Sequence, residues 1–230
     1  MKLIPALLAL CTLSALAAEE PNTLSAAEKA AGWKLLFDGK TTAGWVAIGK
    51  SAFPEKGWTV DAGALHLSKG GGGGNIVTSE AYQDFELVWD WKIADGANSG
   101  LKYNLPDPAK DIGFEYQLLD DEHHPDGVRG GRLHQTAGLY DIIEPAADRK
   151  VNPPGQWNTS RIVVKGNHVE HWLNGAKTVE FDMGSDALKA AVAKSKFKNV
   201  ARFGEKAKSP ILLQDHGDEI WVRSVKLRVP

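Results

Sequence analysis

Cysteine is almost missing from this chain: of 230 residues only Cys11 is one. It falls in an N-terminal segment that reads as cleavable, so a disulfide framework and a nucleophilic thiol are both excluded and stability has to come from a packed core. An excess of one charge is missing too. Lys and Arg number 27 against 29 Asp and Glu, a formal net charge of -2, which excludes the basic face that nucleic-acid binding needs. No run reaches the roughly 20 apolar residues of a membrane span, and no solenoid-length repeat occurs. There is no His-Glu-x-x-His, Gly-x-Ser-x-Gly or EF-hand spacing, which removes the usual signals of a zinc hydrolase, a serine hydrolase and a calcium loop. What is abundant is glycine (24), with 11 Pro and 8 Trp, a balance that suggests a sheet protein with Gly-rich turns and an aromatic-lined cleft.

Lys2 precedes an apolar run over residues 3–16, and Ala15-Leu16-Ala17-Ala18 leads into Glu19-Glu20. This is the pattern of a secretory signal peptide over residues 1–18, cut after Ala17 or Ala18, and it predicts a periplasmic or secreted protein. A lipoprotein reading is weaker, because Leu8-Ala9-Leu10-Cys11 puts a bulky Leu where a small residue normally precedes the lipidated Cys. Removal of Lys2 takes the charge from -2 to -3, too little to imply an ionic partner. Residues 19–230 are expected to form one domain.

Leu24-Ser25-Ala26-Ala27-Glu28 has capping-box spacing, and Gly32 follows, so a short helix opens the domain. Period-two patterns then take over. Phe85, Leu87, Trp89, Trp91 and Ile93 alternate with more polar residues in a long strand with one buried face. Further strands are expected over residues 58–67, 100–104, 114–119, 211–215 and 219–229. Gly166-Asn167 and Asn174-Gly175 join three antiparallel strands over residues 161–181. One later helix is expected over residues 186–196 behind Ser185. Many strands, few helices and no βαβ rhythm predict an all-β antiparallel sandwich or jelly roll. The glycines at 70–74 precede no Gly-Lys-Ser/Thr and no helix, so they read as a mobile loop near a cleft rim and not as a phosphate cradle.

Polar residues that could carry chemistry concentrate between 115 and 141. Glu115 and Gln117 share one strand face, Glu115 lies between Phe114 and Tyr116, and a carboxylate in so apolar a setting needs a partner or a purpose. Asp120-Asp121-Glu122-His123-His124 follows, then Arg129, Arg132, His134, Tyr140 and Asp141; a solvated loop is the plainer reading of the acidic run. His171 alternates with Val169 and Leu173, so its face is either cleft or core. Gln214 and His216 share one side at a strand end, a pair able to bracket a hydroxyl, while Asp215 and Gly217 suit a turn. Tyr140 and Trp157 are candidate stacking surfaces for a sugar. The histidines outnumber the three ligands of a catalytic zinc without its spacing, so a divalent cation is compatible but not signalled.

Several segments, taken in order, resemble the bacterial 3-keto-disaccharide hydrolase domain family. They are residues 32–40 with Gly44-Trp45, Asn98-Ser99-Gly100-Leu101, Glu115-Tyr116-Gln117-Leu118-Leu119-Asp120, Gly138-Leu139-Tyr140-Asp141, Trp157-Asn158, residues 168–175 and Leu213-Gln214-Asp215-His216-Gly217. The resemblance covers about residues 30–229 and implies a concanavalin-like jelly roll acting on small carbohydrates already oxidised at carbon 3. The glycines at 70–74 are a departure from the family pattern and bear on substrate size. Positions that match the family's motifs are Glu115, Gln117, Asp120, His124, His134, Tyr140, Asp141, His171, Gln214 and His216. A ketone at carbon 3 acidifies the carbon 2 proton, so elimination of the glycosidic oxygen followed by water addition gives net hydrolysis. In that scheme Glu115 or His171 is the base, His134 or Tyr140 protonates the leaving oxygen, and Gln214 and His216 hold hydroxyls or the keto oxygen. Gln117, Asp120, His124 and Asp141 complete the substrate site, and no cofactor is required. A sugar-binding module or a conventional glycosidase of the same fold is the alternative.

Overall fold

A computed structural model describes residues 20–230; the expected signal peptide lies outside the described residues. Three short α-helices occur among them, α1 (Ala26–Ala30), α2 (Pro125–Gly130) and α3 (Asp186–Val192). The strands are β1 (Lys34–Leu35), β2 (Trp45–Ala47), β3 (Trp58–Asp61), β4 (Ala64–Leu67), β5 (Ile76–Thr78), β6 (Phe85–Ile93), β7 (Asn98–Tyr103), β8 (Phe114–Leu119), β9 (Asn158–Lys165), β10 (His168–Leu173), β11 (Ala176–Asp182), β12 (Leu212–Leu213) and β13 (Ile220–Arg228). The fold is the antiparallel all-β sandwich that the patterning predicts. A large sheet runs β11-β10-β9-β6-β13-β4-β3, with β1 also paired to β13, and a small sheet runs β2-β5-β12-β7-β8.

Local chemistry accounts for most element ends. Ser25 and Glu28 form the capping box of α1, with Glu28 N–H on Ser25 Oγ at 3.2 Å and Ser25 N–H on Glu28 Oε2 at 2.9 Å. Asn174 (φ 48°) and Gly175 (φ 83°) provide the two left-handed residues of the β10–β11 turn. The segment read as one strand over residues 58–67 is instead a hairpin, β3 and β4, turned at Ala62 (φ 46°) and Gly63 (φ 77°). Helix α3 ends at Val192, four residues short of the expected stop, and β12 keeps only two of the five residues expected.

The core lies between the sheets. Phe85, Leu87, Trp89, Trp91 and Ile93 of β6 all face it, at most 4% exposed, as their alternation requires. From the small sheet come Leu101, Tyr103, Phe114, Tyr116, Leu118 and Leu213. Each such side chain contributes about 1.5–3 kcal/mol when fully buried. Several buried polar groups here are bonded to one another, as where Ser160 Oγ accepts from Trp91 Nε1–H at 2.7 Å and lies 2.7 Å from the Tyr116 hydroxyl, while Trp89 Nε1 and His171 Nδ1 have no protein partner among the described residues. Among the described residues no helix is long and apolar enough to cross a membrane.

Candidate active site

Every residue of β7 and β8 is buried, although only alternate ones can face the large sheet. The others face outward beneath a cover made by residues 120–143 and the loop after α3. Part of that cover runs along the open edge of β8, where Tyr140 N–H bonds Glu115 O and Ala137 N–H bonds Gln117 O, both at 3.0 Å. Register sets the outward rows. Gln214, Gly100 and Gln117 lie side by side across β12, β7 and β8, and Leu212, Lys102 and Glu115 form the next row.

Gly100 is the gap in this floor. A β-carbon there would lie 2.5 Å from Glu115 Oε1, so the carboxylate leans over the glycine between two amide side chains. Glu115 is 6% exposed and has Lys102 Nζ 3.5 Å from Oε2. Burial raises its carboxyl above the usual range, against the opposing pull of Lys102, Lys196 and His216. Around it are buried polar atoms without a protein partner: both amide atoms of Gln117, Oε1 of Gln214 and Oδ1 of Asn98. Buried polar groups are normally satisfied, so such a concentration on one sheet face fits a ligand rich in hydroxyls.

Two walls rise from the floor. On one, His124 and His216 have ring centroids 6.1 Å apart, and His124 Nε2 is 3.9 Å from Asp218 Oδ2. On the other, Tyr140 donates to Asp126 Oδ2 at 2.8 Å, His134 Nδ1 is 2.8 Å from Asp126 Oδ1, and His134 Nε2 is 3.1 Å from Asp141 Oδ1. Lys196 Nζ stands 4.1 Å above the Tyr140 ring, and its backbone N–H donates to Asp141 Oδ2 at 2.7 Å. Helix α2 joins the walls, since His124 caps it and Asp126 is in its first turn.

The structure therefore gathers Glu115, Gln117, Gln214, His216, His124 and Tyr140 into one polar cluster on the outer side of the small sheet and assigns other expected residues elsewhere. His171 is the clearest departure. It is fully buried between the sheets, bonded through Nε2 to the Tyr103 hydroxyl at 2.7 Å and ringed by Tyr116 and Phe181. Burial lowers its pKa to about 3, so it is a neutral core group out of reach of any substrate. His134 has both ring nitrogens occupied by carboxylates and serves as a brace. Tyr140 holds its proton firmly, because burial and the adjoining Asp126 carboxylate raise its pKa far above that of a free phenol. Asp120 shapes a turn: burial opposes its charge, but N–H groups of Gly96, His123 and Glu122 and the His123 ring bring its pKa below the usual range. Trp157 lies on the outer face of the large sheet under Arg223, 3.9 Å from ring centroid to guanidinium carbon. The glycine loop at 70–74 is held, with Gly72 and Gly74 N–H both on Asp215 Oδ2 at 2.9 Å. Asp215 and Gly217 thus serve backbone geometry, as the turn reading has it.

Asp126, Lys102, Lys196 and Asp218 belong to the site without having been singled out in the sequence, and Asn98 was marked only as part of a family segment. For Lys102 the signal was present, since Gly100 and Lys102 alternate with apolar residues on a strand. For the others the partner lies on a distant segment.

Comparison with known proteins agrees with this geometry. Residues 32–228 match the model of the 3-keto-alpha-glucoside-1,2-lyase-like domain. A protein of Bacteroides thetaiotaomicron named 3-keto-disaccharide hydrolase is 32% identical over 245 residues, covering 93% of this chain and 84% of that protein. A crystal structure from Parabacteroides distasonis, provisionally assigned as a glycosyl hydrolase, superposes with a TM-score of 0.82 at 33% identity, over 92% of this chain and all of the other. A carbohydrate-binding module from Bacillus subtilis shares only the fold, at a TM-score of 0.50 and 11% identity over 80% of this chain and 95% of its own. With its jelly-roll sandwich and buried polar cluster, the chain belongs to the 3-keto-alpha-glucoside-1,2-lyase-like domain family and is related to carbohydrate hydrolases.

Proposed function

We propose that this protein cleaves the glycosidic bond of 3-keto-glycosides or 3-keto-disaccharides by elimination and hydration, after export through the N-terminal signal sequence. The observation that carries this reading is Glu115: a buried carboxylate whose proton affinity is raised, placed over Gly100 between unpartnered amides. A carboxylate held at such a cost, several kcal/mol by general experience, is a poor structural device and a good base. It removes the carbon 2 proton, and the C–H electron pair becomes the C2=C3 bond of an enolate. When the carbonyl re-forms, the double bond moves to C1=C2 and the C1–O bond breaks. The proton that Glu115 acquired goes to the departing oxygen. Water then adds at C1 and carbon 2 regains a proton, so the sum is hydrolysis. Tyr140, which keeps its proton, acts as a neutral donor to Asp126 and not as the acid. The remaining carboxylates of the cleft, Asp126, Asp141 and Asp218, all accept from N–H or O–H groups, which favours one working carboxylate over the pair of a conventional glycosidase.

The test is product release from matched glucosides with and without a 3-keto group, by purified mature protein. Cleavage of the keto substrate alone is expected. Cleavage of the plain glucoside would support a conventional glycosidase, and binding of the keto sugar without turnover a sugar-binding module. N-terminal sequencing of the protein from a periplasmic fraction checks export, with a first residue of Ala18 or Glu19 expected.

A further inference from the structure

The elimination proposed above requires a group that holds the carbon 3 oxygen while charge builds on it, and the inference rests on that reading. His124 is the N-cap of α2, and its Nδ1 accepts the backbone N–H of Asp126 at 3.1 Å. A ring nitrogen that accepts an N–H carries no proton, so the ring proton is on Nε2. Nε2 is on the side of Asp218, where ligand-type atoms of His124, His216 and Asp218 lie within 4.8 Å of one another. At 3.9 Å the Asp218 carboxylate is beyond hydrogen-bond distance of Nε2, and Asp218 Oδ2 itself accepts from Asn98 N–H at 3.0 Å. The Nε2–H group is therefore available to a third partner.

We propose that His124, fixed as the Nε2–H tautomer by the helix it caps, donates the hydrogen bond that holds the substrate's carbon 3 oxygen as an enolate. The proton stays on nitrogen throughout, while Glu115 takes the carbon 2 proton and passes it on. Two histidines and an aspartate also invite a metal reading. A metal-bound histidine, however, donates its second ring N–H to an acceptor, whereas the second nitrogen of His124 faces a donor. Coordination through Nε2 would require an imidazolate or loss of the cap.

Two measurements on the full mature chain test this. Long-range proton–nitrogen NMR on histidine-labelled protein is expected to show a bare Nδ1 and a protonated Nε2 at His124. The reverse tautomer would overturn the proposal. His124→Asn keeps a capping acceptor, but its amide N–H stops short of the place that Nε2–H occupies, so kcat on a 3-keto glucoside should fall by about 10²–10³-fold with KM and melting temperature little changed. His124→Gln, whose amide N–H reaches one methylene further, should recover part of the loss. A loss under threefold in His124→Asn, with the wild type active, sinks the donor role alone. A wild type inactive on every 3-keto glycoside sinks the underlying reaction as well. Binding of one equivalent of Zn²⁺ or Mn²⁺ by calorimetry, abolished by His124→Asn, would establish a metal centre in its place.

Discussion

The two faces of β7 and β8 are one peptide apart and are both buried, yet they treat polar groups differently. On the inner face the Tyr103 hydroxyl meets His171, and the Tyr116 hydroxyl meets Ser160 and the Trp172 carbonyl. On the outer face Gln117 and Asn98 leave buried polar atoms without protein partners, and Glu115 has one lysine. Burial alone therefore does not mark a functional residue. Among the described residues the core side leaves two buried nitrogens unpaired, Nδ1 of His171 and Nε1 of Trp89, whereas the outer face gathers four unpaired amide atoms around one carboxylate, and it is that concentration beside a raised carboxyl that points to a ligand.

The comparison breaks most sharply at Glu115. Glu115→Gln should lower kcat on a 3-keto glucoside by about 10²–10⁴-fold. The same change should raise the melting temperature at neutral pH. The sign follows from burial: a raised carboxyl favours the folded state below its unfolded pKa, and that advantage is lost as pH rises through the folded value. A lower melting temperature in the variant at pH 7 would mean that the charge stabilises the fold. For the active enzyme, activity should fall as pH drops through that same raised value, read as the acid limb of kcat/KM.

Gly100→Ala pushes the carboxylate off its seat and should cost about 10²-fold in kcat, the scale of a displacement near 1 Å, with the carboxylate still present. Unchanged kinetics would mean that Glu115 does not need this position. On the inner face His171→Ala should instead lower stability by about 2–4 kcal/mol through the cavity and the Tyr103 hydroxyl left bare, with turnover per folded molecule preserved. Wild-type stability should also decline as pH falls from about 6.5 toward about 3, because the unfolded chain takes up a proton that buried His171 refuses until the lower value. Denaturant titrations across that range should show the slope in the wild type and a smaller one in the variant. Asp215→Ala, the mildest change, frees the glycine loop and should raise KM with kcat unchanged.

The sandwich was legible in the sequence because its signals are local. Alternation along β6 and the Asn-Gly turn place strands without reference to distant residues. The β3–β4 turn was not, since Ala62 in a left-handed conformation carries no compositional mark. Site legibility divides along the same line. Glu115 and Gln117 stand out because an acidic residue and an amide alternate with core aromatics. His171 obeys the same alternation but on the inner face, where its partner Tyr103 comes from a strand 68 residues earlier in the chain. The brace of His134 by Asp126 and Asp141, and the approach of Lys196, depend on loops whose paths no local pattern sets.

The glycine run at 70–74 looks like sequence drift, the kind of stretch a compositional filter discards. Its spelling is in fact dictated from outside the loop, by Asp215 and by the backbone of Lys56. A methyl group on Gly71 would lie 2.1 Å from Asp215 Oδ1, and one on Gly73 would lie 2.3 Å from the Lys56 carbonyl oxygen. Alanine or serine, the commonest replacements in a neutral loop, are closed to Gly71 while Asp215 keeps its grip and to Gly73 by the Lys56 carbonyl. Because Asp215 lies between Gln214 and His216, loop and site wall are expected to change together in descendants of this chain, Gly71 being lost only where the aspartate is lost first.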